Sequence, residues 1–140
     1  MSKVSLERVN QAHHFKIENE TGNVIHTDGS PDIGGDGKGM RPMELLLAAA
    51  ASCSSIDVVL ILKKMKQDLI DLKVEVEAEK EKMDTYSRWN VIHLHYKLYG
   101  DIKPKKAEQA VKMSIEKYCS VTKTLEKNSE IKYTVEVIAD

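Results

Sequence analysis

The two cysteines of this chain, Cys53 and Cys119, are the residues best suited to chemistry, because a thiolate is both a nucleophile and a metal ligand. Cys53 stands in the middle of the apolar run MELLLAAAASCSSIDVVLILKKM, and Asp57 follows it by about one helical turn. A buried cysteine beside a negative charge is usually an inert small hydrophobe. Cys119 lies at the end of a second helical pattern, so the two thiols meet only if the helices cross. The local sequence leaves an inert and a reactive pair both open.

Other polar patterns are weaker candidates for a site. His93 and His95 share one face of a strand, which would suit two metal ligands, but no third ligand has a recognisable spacing. The glycine-rich stretch DGSPDIGGDGKGM matches neither the P-loop nor the GxGxxG pattern. We therefore expect imidazoles on a strand face, a plain loop, and no metal site.

Composition limits the class of protein. The chain has 140 residues, of which 41% are hydrophobic and 31% charged, and this indicates one globular domain over residues 1–140. The net charge is −1, so the chain lacks the excess of positive charge that is typical of nucleic-acid-binding domains. The run 45–62 includes Cys53, three serines and Asp57, which is too polar at its centre for a membrane span, and the N-terminus has no signal-peptide core. We expect a cytoplasmic protein whose cysteines are thiols or a transient catalytic pair.

Hydrophobic periodicity predicts an α+β fold in which strands and helices are largely segregated. The long helix predicted over residues 42–66 is apolar nearly all round, which predicts that it is buried on most sides, in a core or against a partner subunit. The predicted elements are three short antiparallel strands within residues 3–29, a loop over 28–40, a helix over 42–66, a hairpin over 72–100, a helix from Pro104 to near Cys119, a short helix over 120–127 and a closing strand over 130–139. The order βββ–α–ββ–α–β indicates a mainly antiparallel sheet.

Two segments of the chain resemble the OsmC/Ohr family of osmotically inducible and organic-hydroperoxide-resistance proteins. RPMELLLAAAASCSS is similar to the family's motif at the start of the central helix, and SIEKYCSVTKTLEKNSEIKYTVEV is similar to its second-cysteine segment and closing strand. The resemblance covers nearly the whole chain. It implies an intertwined homodimer, with the long helices packed across the interface and active sites formed between subunits.

The resemblance also implies a role for each cysteine. Cys53 would be the peroxidatic thiolate that attacks an organic hydroperoxide or hydrogen peroxide and becomes a sulfenic acid. Cys119 would resolve it as a disulfide, and an external dithiol or other reductant would restore both thiols. No bound cofactor is implied.

The chain departs from the family at the groups that activate the thiolate. The family has a glutamate directly after the proline, where this chain has Met43, and Glu44 would face away from Cys53 on an ideal helix. The family's second activating group is an N-terminal arginine. The arginines available here, from either chain of a dimer, are Arg8, Arg41 and Arg88. Arg41 is the candidate site residue beside the two cysteines.

A second hypothesis belongs to another functional class. The chain could be a non-catalytic or redox-sensing dimeric binding module that holds an apolar ligand at the interface and keeps its cysteines as thiols. The surroundings of Cys53 distinguish the two hypotheses: a nearby arginine and an open pocket favour the peroxidase, and apolar packing on all sides favours the module.

Overall fold

A computed structural model describes residues 1–139, which fall into two compact units divided between Leu46 and Leu47. Each unit is described by itself below. The α+β class and the order of the predicted elements are confirmed. The prediction of one domain over residues 1–140 stays a prediction.

The first unit contains a three-stranded antiparallel sheet in the order β1-β2-β3. Its strands are β1 Val4–Arg8, β2 Phe15–Asn19 and β3 Val24–Thr27. Gly22 adopts a φ of 88° in the turn between β2 and β3, a conformation that glycine reaches without a steric penalty. All three strands lie where the alternating pattern predicts them.

A buried carboxylate organises the loop that follows β3. Asp28 is 2% exposed, and its side chain accepts hydrogen bonds from the backbone N–H groups of Gly29 (2.8 Å), Asp36 (3.2 Å) and Lys38 (3.0 Å). The loop also includes a 3₁₀ turn at Pro31–Ile33. At Gly35 a β-carbon would lie 1.8 Å from the carbonyl oxygen of Gly29, so only glycine fits this close approach.

The second unit is built on a three-stranded sheet in the order β4-β5-β6. Its strands are β4 Asp68–Lys82, β5 Ser87–Asp101 and β6 Glu130–Ile138. β4 and β5 form an antiparallel hairpin, whereas β6 pairs parallel to β5. The parallel pairing is possible because the helices after β5 return the chain to the same end of the sheet. Over the two sheets, three of the four described strand pairings are antiparallel, as the predicted mainly antiparallel arrangement requires.

Two long helical regions accompany the sheet. α1 spans Pro42–Lys64, and α2, Pro104–Met113, continues into a π-helical turn, Ser114–Tyr118, and a short α3, Ser120–Leu125. The buried core combines residues of α1, β5 and α2. Its fully buried members include Ala50, Val58, Leu62, Ile92, Leu94, Leu98, Ala107, Ala110 and Val111.

α1 is apolar all round, as the sequence predicts, but within one chain only one side is buried. Ile56 (60% exposed), Val59 and Leu60 face away from the core. α1 is the one described helix that is long and apolar enough to cross a membrane by length and composition alone, a test that core helices of soluble proteins also pass.

Replacing Asp28 with alanine should loosen the loop over residues 29–40. The hydrogen bond from Lys38 is the main reason that the pKa of Asp28 lies below its ordinary value of 3.8. A lowered pKa means that the stabilisation is fully present above pH 3.8 and is lost as the pH falls through the folded-state pKa. Hydrogen exchange should show faster exchange at Asp36 and Lys38 in Asp28→Ala at neutral pH. Unchanged exchange, matching that of a Glu20→Ala control, would contradict this account.

Candidate active site

Three reactive side chains converge in the second unit. The sulfur atoms of Cys53 and Cys119 and a carboxylate oxygen of Asp57 all lie within 4.8 Å of one another. Both cysteines are free thiols. The two site cysteines expected from the sequence are therefore neighbours, although they come from opposite ends of the unit; their catalytic roles stay predictions.

α1 supplies two of the three groups. Cys53 and Asp57 are four residues apart, so the helix places their side chains on the same side, one turn apart. Both are half-buried. The sequence indicates only that the negative charge of Asp57 disfavours ionisation of the Cys53 thiol. The structure adds that its carboxylate also reaches Cys119.

A buried hydroxyl pair lies next to Cys53. Ser54 is completely buried, and its side chain hydrogen bonds to the hydroxyl of Tyr96 from β5. The Ser54 hydroxyl also lies 2.7 Å from the carbonyl oxygen of Ala50, one turn earlier in α1. Burial raises the pKa of Tyr96 to about 12, although the bond with Ser54 opposes the rise, so this phenol stays protonated and can donate at neutral pH.

The π-helical turn after α2 places Cys119. Ser114 opens the turn and is completely buried, and its hydroxyl donates to the backbone carbonyl of Ser54 (2.8 Å). The backbone N–H of Cys119 donates to the carbonyl of Ser114 (2.7 Å), five residues back. Such π turns insert an extra residue into a helix and often occur at functional sites. Here the turn is anchored to α1 at the residue next to Cys53.

Cys119 then caps α3. Its sulfur accepts a hydrogen bond from the backbone N–H of Thr122 at 3.4 Å. Burial nevertheless raises the pKa of the Cys119 thiol, and the neighbouring Cys53 raises it further. Removal from water therefore outweighs the bonds with Thr122, which favour the thiolate. Cys119 is held as a neutral thiol.

The arginines have other contacts. Arg88 donates twice to one carboxylate oxygen of Glu81, at 2.8 and 3.0 Å, and the Arg8 side chain donates to the carbonyl of Ala12 (3.0 Å). Arg41 is exposed in the first unit. Its role toward Cys53 stays a prediction.

Glu44 has a local role at the start of α1. Its carboxylate accepts a hydrogen bond from the backbone N–H of Arg41 at 2.9 Å, which is one half of a capping box. The expectation that Glu44 does not take the place of the family glutamate stays a prediction.

The two strand histidines make structural contacts. His95 hydrogen bonds through one ring nitrogen to Glu77 (2.8 Å) and through the other to Thr134 (2.7 Å). The rings of His93 and His95 stack with centroids 4.0 Å apart. Both nitrogens of His95 are thus occupied by protein groups, which agrees with the expectation of imidazoles on a strand face.

The two thiols should differ in reactivity. Cys119 is fully buried with a raised pKa, whereas Cys53 is half-buried. With iodoacetamide at pH 8, Cys53 should be alkylated first, because the reagent needs both access and a thiolate. Peptide mass spectrometry over time gives the order. Faster alkylation of Cys119 than of Cys53 would contradict the assignment.

The buried hydroxyl pair should respond asymmetrically to truncation. Ser54→Ala leaves the buried Tyr96 hydroxyl without this partner and should cost about 1–3 kcal/mol of unfolding free energy. Tyr96→Phe leaves Ser54 bonded to Ala50 and should cost about 1 kcal/mol or less. Urea unfolding measures both, with the exposed Tyr118→Phe as a control. The idea fails if Tyr96→Phe is the more damaging change.

Comparison with known proteins places this site in a family. Residues 35–134 match the family model described as OsmC-like protein. Protein YhfA of Escherichia coli K12 is 41% identical over 126 residues, covering 89% of this chain and 90% of YhfA.

Two solved structures are similar to the chain over nearly its whole length. A hypothetical protein from Aquifex aeolicus has a TM-score of 0.86 and 34% identity, covering 100% of this chain and 98% of that one. An organic hydroperoxide resistance protein OsmC from Legionella pneumophila has a TM-score of 0.77 at 19% identity, covering 98% and 97%, and therefore shares the fold. The chain belongs to the OsmC-like protein family.

Proposed function

We propose that this protein is a thiol-dependent peroxidase that reduces organic hydroperoxides through Cys53 and Cys119. The observation that carries the proposal is the approach of the two free thiols to within 4.8 Å of each other. Cys53 lies in α1 and Cys119 at the N-cap of α3, so tertiary structure, not local sequence, brings the two thiols together. The name of the Legionella relative, an organic hydroperoxide resistance protein, supports the same chemistry.

Cys53 is the better first nucleophile. It is half-buried, so a substrate can reach it, whereas Cys119 is fully buried. The Cys53 thiolate attacks the distal oxygen of the hydroperoxide, forming an S–O bond as the O–O bond breaks. The alkoxide that leaves takes up a proton and departs as an alcohol. Cys53 is oxidised to a sulfenic acid.

Cys119 suits the second step. Its thiol attacks the sulfur of the Cys53 sulfenic acid, the S–O bond breaks, and the hydroxide leaves as water with the proton of the Cys119 thiol. The product is a Cys53–Cys119 disulfide. An external dithiol reduces this disulfide and restores both thiols, so the cycle needs no bound cofactor. Burial protects Cys119 from direct attack by the hydroperoxide.

The active form is proposed to be a homodimer. The side of α1 that carries Ile56, Val59 and Leu60 is apolar and exposed within one chain. A second copy would bury this side, and Arg41 of either chain would then be available to hold the Cys53 thiolate. The cytoplasm, where thiols stay reduced, is the location that suits such a cycle.

Thiol consumption tests the peroxidase directly. Reduced protein, with a chelator present, is mixed with cumene hydroperoxide or hydrogen peroxide. We expect loss of both thiols in the wild type, faster with the organic peroxide. Cys53→Ser should slow the reaction by at least about 100-fold, since it removes the nucleophile. Cys119→Ser should still react once, at Cys53.

A reaction that does not depend on Cys53 would refute the peroxidase. It would favour the binding-module hypothesis instead.

Matched substitutions test the dimer. Ile56→Glu places a charge on the exposed side of α1, and Ile70→Glu places the same charge on β4 at a site of nearly equal exposure (60% and 58%). Sedimentation analysis should find a dimer for the wild type and Ile70→Glu, and a monomer for Ile56→Glu, because burying an unpaired carboxylate is costly. A monomeric wild type, or a dimer that tolerates Ile56→Glu, would contradict this interface.

A further inference from the structure

The atoms that converge at the thiol pair are also a set of metal ligands. Two sulfur atoms and a carboxylate oxygen lie within 4.8 Å of one another. Thiolates prefer soft or borderline ions such as Zn²⁺ and Cd²⁺, and a carboxylate oxygen completes many zinc sites. The side chains come from α1 and from the start of α3, so distant parts of the sequence supply the set.

We propose that Cys53, Asp57 and Cys119 form a binding site for one Zn²⁺ per chain, with the fourth coordination position open. The site does not depend on the peroxidase proposal, because it requires only the reduced side chains. Neither the family match nor the relatives' names assigns a metal to this protein. The sequence predicts none, since the ligands have no recognisable spacing.

The distances suit a tetrahedral site after a small movement. Zn–S bonds of about 2.3 Å at tetrahedral angles put two sulfur ligands roughly 3.8 Å apart. The present separations, up to 4.8 Å, exceed this by about 1 Å at most. Rotation of the half-buried Cys53 and Asp57 side chains on α1 can supply a shift of that size.

The charges favour a cation over an empty cluster. Asp57 stands beside the two sulfurs, and ionising either thiol would place like charges side by side. The one arginine of the second unit, Arg88, is bonded to Glu81. A divalent cation at the centre removes this repulsion and makes all three groups ligands.

The groups around the ligands hold them in place. The Thr122 N–H bonds to the Cys119 sulfur, and the Ser114–Ser54 hydrogen bond fixes the π turn against α1. Hydrogen bonds of this kind orient metal ligands and raise affinity.

Metal binding to the reduced protein, without peroxide, tests the proposal. Protein in metal-free anaerobic buffer is dialysed against Zn²⁺ or Cd²⁺, and bound metal is counted. We expect one ion per chain and protection of both thiols from a thiol reagent until a chelator is added. Cys53→Ser and Cys119→Ser should abolish binding. Asp57→Asn should weaken it by more than about tenfold, because losing even a supporting partner costs 10- to 100-fold.

Asp84→Asn, an exposed carboxylate in the β4–β5 turn, is the matched control and should bind like the wild type. X-ray absorption of the zinc-loaded wild type should find two sulfurs at about 2.3 Å and oxygen at about 2.0 Å, a result that needs no variant to fold.

No ion at equimolar zinc, or wild-type affinity in Asp57→Asn, would overturn the three-ligand site. So would nitrogen ligands in place of sulfur in the X-ray absorption spectrum. The metal assay contains no peroxide and the peroxidase assay contains a chelator, so failure of one proposal is distinguishable from failure of the other.

Discussion

The hydrogen bond from the Ser114 hydroxyl to the Ser54 carbonyl is the contact on which the site depends. It joins the π turn to α1 at the residue next to Cys53, and both partners are completely buried. After Ser114, four further residues of tight turn lead to Cys119. Core packing of α1 against α2 holds the two helical segments together, and this hydrogen bond fixes the π turn at the level of Cys53.

The sheet of the second unit also contacts Ser54, through β5. Tyr96 of β5 bonds to the Ser54 side chain. Strand alternation turns its ring into the core with Leu94 and Leu98, whereas Lys97 is exposed. Because β6 returns parallel to β5, the segment that carries Cys119 must cross over the sheet between these two strands. The fold therefore brings the second cysteine back to the helix that carries the first.

The fold was largely predictable from the sequence, because its signals are local. Alternation in β5, the proline at the first position of α1 and the glycine-rich loop each act within a few residues. The site was predictable only in part. Cys53 and Cys119 are recognisable because they are the only cysteines in the sequence. Asp57, Ser114 and Tyr96 come close to the thiols through tertiary contacts, and such contacts produce no recognisable pattern in the sequence. Likewise, periodicity shows that α1 is apolar all round without showing which side the single chain leaves exposed.

In the proposed function, Cys53 and Cys119 act as one reactive pair within a chain. The most direct measurement treats reduced protein with one equivalent of cumene hydroperoxide and quenches it with an alkylating agent. Non-reducing denaturing electrophoresis then separates single chains from linked chains, and mass spectrometry maps the peptides of each. We expect a disulfide between Cys53 and Cys119 of the same chain, with little sulfinic acid. Disulfides between chains, or an over-oxidised Cys53 beside an alkylated Cys119, would contradict it.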